Sequence, residues 1–149
     1  MDDAAKAAHR NFAVSLFNRV WELLDKTDRS AADDEVMLNA AHASLYHWLQ
    51  IGEAKNFSIG EWQLARVYAT LRRTEPALHH AQRSLDIAEN AALPAFYIAY
   101  AHEAVARAHA LNGDSSAVRT HSERARILAE SVENADERAM LLKDLDGLQ

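Results

Sequence analysis

The stretch ARVYATLRRTEPALHHAQRSLDIAE (Ala65–Glu89) returns after 41 residues, without a gap, as ARAHALNGDSSAVRTHSERARILAE (Ala106–Glu130). Seven of the 25 aligned positions are identical, among them Ala65/Ala106, Arg66/Arg107, His80/His121, Arg83/Arg124 and Ala88/Ala129. Each copy carries apolar residues at helical spacing on both sides of a short polar break, so each reads as a helix–turn–helix. One such unit cannot bury its apolar face alone. Recurrence at this period predicts stacked helix pairs, an α-solenoid.

Helical periodicity and cap chemistry extend outward from this core in both directions. Phe12, Leu16, Val20, Leu23 and Leu24 form one apolar stripe, which predicts a first helix over Asp3–Asp25. Ser30 with Asp33 reads as a capping box opening a second helix, with Leu38, Ala41, Leu45 and Leu49 along one face and Gly52 at its end. Ser58 with Glu61 reads as a second box that opens a third helix. Thr74-Glu75-Pro76 opens a fourth, with Asn90 as its left-handed cap. Pro94 starts a fifth, Gly113-Asp114 closes it and caps a sixth, and Asn134 with Glu137 starts a seventh. The expectation is an all-α single domain over residues 1–149. It divides into helix pairs at 1–51, 57–90 and 93–131, with a capping helix at 134–148. Short connections make neighbouring helices antiparallel.

Composition narrows the function classes. About a fifth of the residues are alanine, which suits close helix packing, and cysteine is absent, which removes disulfides, thiol nucleophiles and Cys-based zinc sites. A net charge of −6 with scattered bases lacks the footprint of a nucleic-acid binder. No apolar run approaches a membrane span, and the opening Met-Asp-Asp carries acids where a signal peptide carries positive charge. The expectation is a cytoplasmic protein with neither nucleic-acid nor membrane partner.

Leu64-Ala65-Arg66-Val67-Tyr68, Glu75-Pro76-Ala77, Ala81 and Leu85 together resemble a tetratricopeptide repeat, and Val105-Ala106-Arg107-Ala108-His109, Gly113-Asp114 and Ala125 resemble a second. The segments His42–Trp48, Gly60–Tyr68 and Glu75–Ala81 are also similar to small bacterial proteins, a likeness that implies no function. The repeat resemblance implies a short right-handed superhelix of about seven helices, with small residues at Ala65, Ala77 and Ala81 and an aromatic at Tyr68. In the second unit His109 stands where the aromatic belongs, and Ala117 or Val118 takes the small-residue slot. It also implies a groove lined from the first helix of each unit, by Ile59, Trp62, Arg66 and Ala69, then by Tyr100, Glu103, Arg107 and Ala110.

Trp62, Arg66, Tyr100, Glu103 and Arg107 are therefore the candidate partner-binding set, rich in the residue types that dominate interfaces. The two arginines, equivalent in the repeat, are suited to gripping a carboxylate or phosphate unless Arg66 pairs with Glu103 inside the groove. The expected function is a noncatalytic module that binds a peptide, a protein or a second copy of itself, with no cofactor. Removing both arginines is expected to abolish binding and leave thermal stability nearly intact. The alternative is a metal- or small-molecule-binding protein, because eight histidines are about twice the usual share. No His-x-x-x-His pair exists, so a site would be assembled across helices, as from His42, His47, Glu61 and His80. Glu61 reads as a capping-box acid before it reads as a buried one. Phe17, Trp21 and Trp48 read as core aromatics and His80 and His121 as structural. No nucleophile motif or phosphate loop is present.

Overall fold

An α-helix starts where a side-chain oxygen answers the unpaired N–H groups of its first turn. The computed structural model describes residues 1–148, which form seven helices and no strand, and all but α4 and α5 open on side-chain capping of this kind. Helix α1 (Asp3–Asp25) follows Asp2, whose carboxylate accepts the Ala5 N–H at 2.8 Å. Helix α2 (Ala31–Ile51) opens on the predicted box, with Ser30 and Asp33 bonding each other's backbone at 3.1 and 2.9 Å. Helix α3 (Ala54–Thr70) starts at Ala54 rather than Ser58, because Glu53 and Asn56 supply a box upstream. That leaves Ser58 and Glu61 inside the helix, where both are buried and find partners on the next one. Helix α4 (Thr74–Asn90) has Pro76 in its first turn, and α5 (Ala95–Ala110) follows Pro94. Helix α6 (Ser115–Ala129) is capped by Asp114, and α7 (Ala135–Asp146) by Asn134, which accepts from the N–H groups of Asp136 and Glu137.

Three turns share one geometry. The N–H of Arg73, Leu93 and Asp114 reaches back to the carbonyl of Tyr68, Ala88 and His109, five residues earlier, at 2.9, 3.0 and 3.2 Å. In each turn the preceding residue is left-handed: Arg72 at φ 57°, Ala92 at 47° and Gly113 at 75°. The bond ties up carbonyls that a helix end leaves unpaired. Ala92 thus takes the left-handed position expected of Asn90, which stays helical.

The helices pack as α1 on α2, α3 on α4 and α5 on α6, and α5 also lies against both α3 and α4. Three apolar clusters follow one another along this row. The first, on α1–α3, holds Val20, Leu23, Met37, Leu45, Leu64 and Val67. The second, on α3–α5, is mostly alanine, with Ala65, Ala81, Ala88, Ala101 and Ala104. The third joins α5, α6 and α7 through Ala99, Tyr100, Ala125, Ala129, Leu141 and Leu145. Gly60 permits the approach of α2 to α3, since a Cβ there would lie 2.7 Å from Leu45 Cδ1. Two residues of the expected stripes, Phe12 and Leu49, are exposed. Phe12 lies on the outer part of the long first pair, its ring stacked on His47 with centroids 5.2 Å apart.

A left-handed non-glycine residue costs roughly 1–2 kcal/mol. Arg72→Gly is therefore expected to stabilise the fold by about 1 kcal/mol, and Gly113→Ala to weaken it by a similar amount, both read from denaturant midpoints.

Candidate functional site

Glu103 on α5 has no exposed surface, and a buried carboxylate needs its charge answered nearby. Arg107, one helical turn on, donates to Oε1 from Nε at 2.7 Å and again from Nη2. Arg66 on α3 brings Nη1 to 3.7 Å of the same oxygen, and that nitrogen is buried without a hydrogen bond. Trp62 Nε1 donates to Oε2 at 3.4 Å. Arg66 also lies 4.0 Å from Asp144 of α7, which accepts the Tyr100 hydroxyl at 3.2 Å. Burial first, then Asp144 beside it, raises the Tyr100 phenol above its ordinary value. The five candidate groove residues are thus one network, and the carboxylate the arginines hold is the protein's own Glu103.

Beside this network lies a pocket of about 260 Å³. Its walls are Phe17 and Trp21 from α1, Ile59 and Trp62 from α3, Phe96, Tyr97 and Tyr100 from α5, and Met140 from α7. The rings meet at steep angles: Trp62 on Tyr100 at 78° with centroids 5.5 Å apart, and Phe96 on Tyr100 at 75° and 5.0 Å. Ser58 and Ser84 also reach the lining, but each hydroxyl donates to the other's carbonyl, at 3.0 and 2.9 Å. Asp144 is the one charged residue of the lining. Of the expected groove positions, Ile59, Trp62 and Tyr100 line the pocket, whereas Ala69 packs against Ala77 and Ala108, and Ala110 is exposed. Sequence spacing missed the contribution of α1 and α7. Phe17 and Trp21, expected in the core, are half-buried pocket walls. Their four-residue spacing, shared by Phe96 and Tyr100, was the signal available.

Of the alternative metal set, Glu61, His80 and His42 share one cluster, with the His42 and His80 ring centroids 5.6 Å apart, and His47 lies outside it. Glu61 is the buried acid of a second cluster, not a cap: Oε2 meets His80 Nδ1 at 2.6 Å and Oε1 accepts Arg83 Nε at 2.7 Å. Burial acts to raise the Glu61 carboxyl, but the bonds from His80 and Arg83 outweigh it and leave it low. His42 joins this cluster through Tyr68, its Nε2 2.8 Å from the hydroxyl, and Tyr68 stacks on His80 at 5.4 Å. His47 points elsewhere, its Nδ1 2.9 Å from Nδ1 of His9 on α1. Among the described residues no three His, Asp or Glu side chains are placed to hold a metal ion.

The repeat register explains a third cluster. Positions 61 and 80 become 102 and 121 in the next unit, and there His102 Nδ1 meets His121 Nδ1 at 2.9 Å. The same α-hairpin contact is kept with an imidazole in place of the carboxylate. His109, equivalent to Tyr68, stacks on His121 at 6.3 Å. Burial, then the neighbouring His121 and Arg124, push the His102 imidazole down to about 4.

No family model, curated protein or solved structure matches this chain. No helix among the described residues is long and apolar enough to cross a membrane.

Two outcomes follow from these clusters. The fold favours neutral His102, so its contribution is full above the ordinary value of 6.5 and is lost as the pH falls toward 4. Melting temperature should drop by on the order of 5 °C between about pH 7.5 and about pH 5, and His102→Gln should flatten that slope in a calorimetric pH series. Arg66→Ala with Arg107→Ala leaves Glu103 buried with no counter-charge and only the Trp62 N–H as a donor, so the arginines are not expected to be removable with stability intact. The double variant should lose about 3–5 kcal/mol in urea unfolding, and adding Glu103→Gln should return part of it.

Proposed function

We propose that this chain is a noncatalytic interaction module, a short right-handed superhelix of the tetratricopeptide-repeat type. Its groove along α1, α3, α5 and α7 receives a segment of a protein partner. The observation that carries the proposal is the wall of the pocket, where six aromatic rings gather around a space of about 260 Å³. The polar groups there are already engaged: the serines with each other, Trp62 with Glu103 and Tyr100 with Asp144. Such a surface offers contact area and orientation but no poised nucleophile or base. The network around Glu103 holds Trp62 and Tyr100 in place before a partner arrives, which lowers the ordering cost of association. Trp and Tyr in a partly desolvated depression are the residue types that anchor interfaces.

A random peptide library selected on the full chain tests this. Trp62→Leu keeps an apolar side chain at the position, and its melting curve reports whether the fold survives. Selected peptides should bind that variant about tenfold or more weakly. Peptides that bind both proteins alike, or a library without binders, would overturn the proposal.

A further inference from the structure

The chain has only eleven aromatic residues, and six of them, Phe17, Trp21, Trp62, Phe96, Tyr97 and Tyr100, line this one pocket. Apolar volume alone does not call for that concentration. The first core cluster buries its volume with Val, Leu, Met and Ala. What rings supply in addition is a negative face. Trp62 meets Tyr100 at 78°, Phe96 meets Tyr100 at 75°, and Trp21 lies 5.6 Å from Trp62 at 36°. Rings meeting near right angles form the corner of a box, and all six rings gather about one point of a half-open pocket.

Three further observations give that point a sign. Trp62 Nε1 and Tyr100 Oη both donate to carboxylates, of Glu103 and Asp144, which pushes electron density into the two rings and makes their faces more negative. The lining's one charge is the carboxylate of Asp144, and Arg66, whose guanidinium pairs with it at 4.0 Å, lies outside the lining, as does Arg107. Tyr97 already has an ammonium over its ring, Lys55 Nζ at 5.1 Å from the centroid. The pocket also falls below the roughly 300–1,000 Å³ of drug-sized ligand sites, so it suits a compact head group.

We propose that the pocket binds an alkylated ammonium group, its methyls against the aromatic faces and its charge toward Asp144. Aromatic boxes recognise quaternary ammonium in this way. The inference rests on the pocket being the binding site and adds the chemistry of what enters it. The same group is offered by a free choline-like molecule and by a trimethylated lysine on a partner.

Trp21 and Trp62 are two of the chain's three tryptophans, so intrinsic fluorescence of the full protein reports occupancy. The titrants are choline, its neutral isostere with tert-butyl in place of trimethylammonium, and a peptide carrying trimethyllysine. Choline should bind about tenfold more tightly than the isostere. Asp144→Asn, which can still accept the Tyr100 hydrogen bond, should narrow that ratio, and Trp62→Leu, checked by melting for an intact fold, should remove the signal. A peptide that binds more tightly than choline assigns the group to a modified partner, and the reverse order assigns it to a free small molecule. Equal binding of choline and isostere overturns the cation and leaves the apolar groove standing. Silence from all three titrants overturns the cation as well, and the peptide library then decides the groove.

Discussion

The structure is organised around a charge that water does not reach. Glu103 has no exposed surface, so its carboxylate must be compensated by groups brought to it. Arg107 comes from the same helix, Arg66 and Trp62 from α3, and Arg66 continues toward Asp144 on α7. One buried acid thereby sets the relative placement of three helices. A hydrophobic contact tolerates sliding, whereas a carboxylate with directional donors specifies register. The pocket inherits this definition, because Trp62 and Tyr100 are members of the network and walls of the cavity at once.

Much of the architecture was legible in residue order because it rests on local chemistry. The Ser30–Asp33 box, Pro94, Gly113-Asp114 and Asn134 mark helix starts that the structure has, and the 41-residue shift located equivalent hairpins. Legibility failed where two local patterns competed or where tertiary partners decided. Ser58 and Glu61 satisfy the spacing of a capping box, yet Glu53 and Asn56 satisfy it too, and only the partners on α4 show which pair lies inside the helix. Arg72 and Ala92 adopt left-handed turns without the glycine or asparagine that would have announced them. The pairing of Arg66 with Glu103 was visible as one option of the repeat register. That Phe17, Trp21 and Asp144 would meet across the pocket was not, since nothing along the chain relates α1 to α7.

The second and third helix pairs show how a repeated position can keep its contact while changing its chemistry. Glu61 with His80 and His102 with His121 occupy the same places in consecutive hairpins. In the first, a carboxylate takes the imidazole and an arginine together. In the second, two imidazoles face each other, an arrangement that suits a single shared hydrogen and resists a second proton. The backbone frame is common to both, and acid acts on a carboxylate in the earlier copy and on a buried imidazole in the later one.

Helix α1 packs on α2 and touches α3, helix α7 packs on α5 and α6, and among the described residues α1 and α7 share no contact. The two ends of the row face each other only across the aromatic pocket, Phe17 and Trp21 on one side, Met140 and Asp144 on the other. An open stack of helices behaves mechanically as a spring, in which strain at one end decays from neighbour to neighbour. Anything seated in the pocket would bridge the first coil and the last, turning the spring into a clasped ring whose stiffness is set by its occupant.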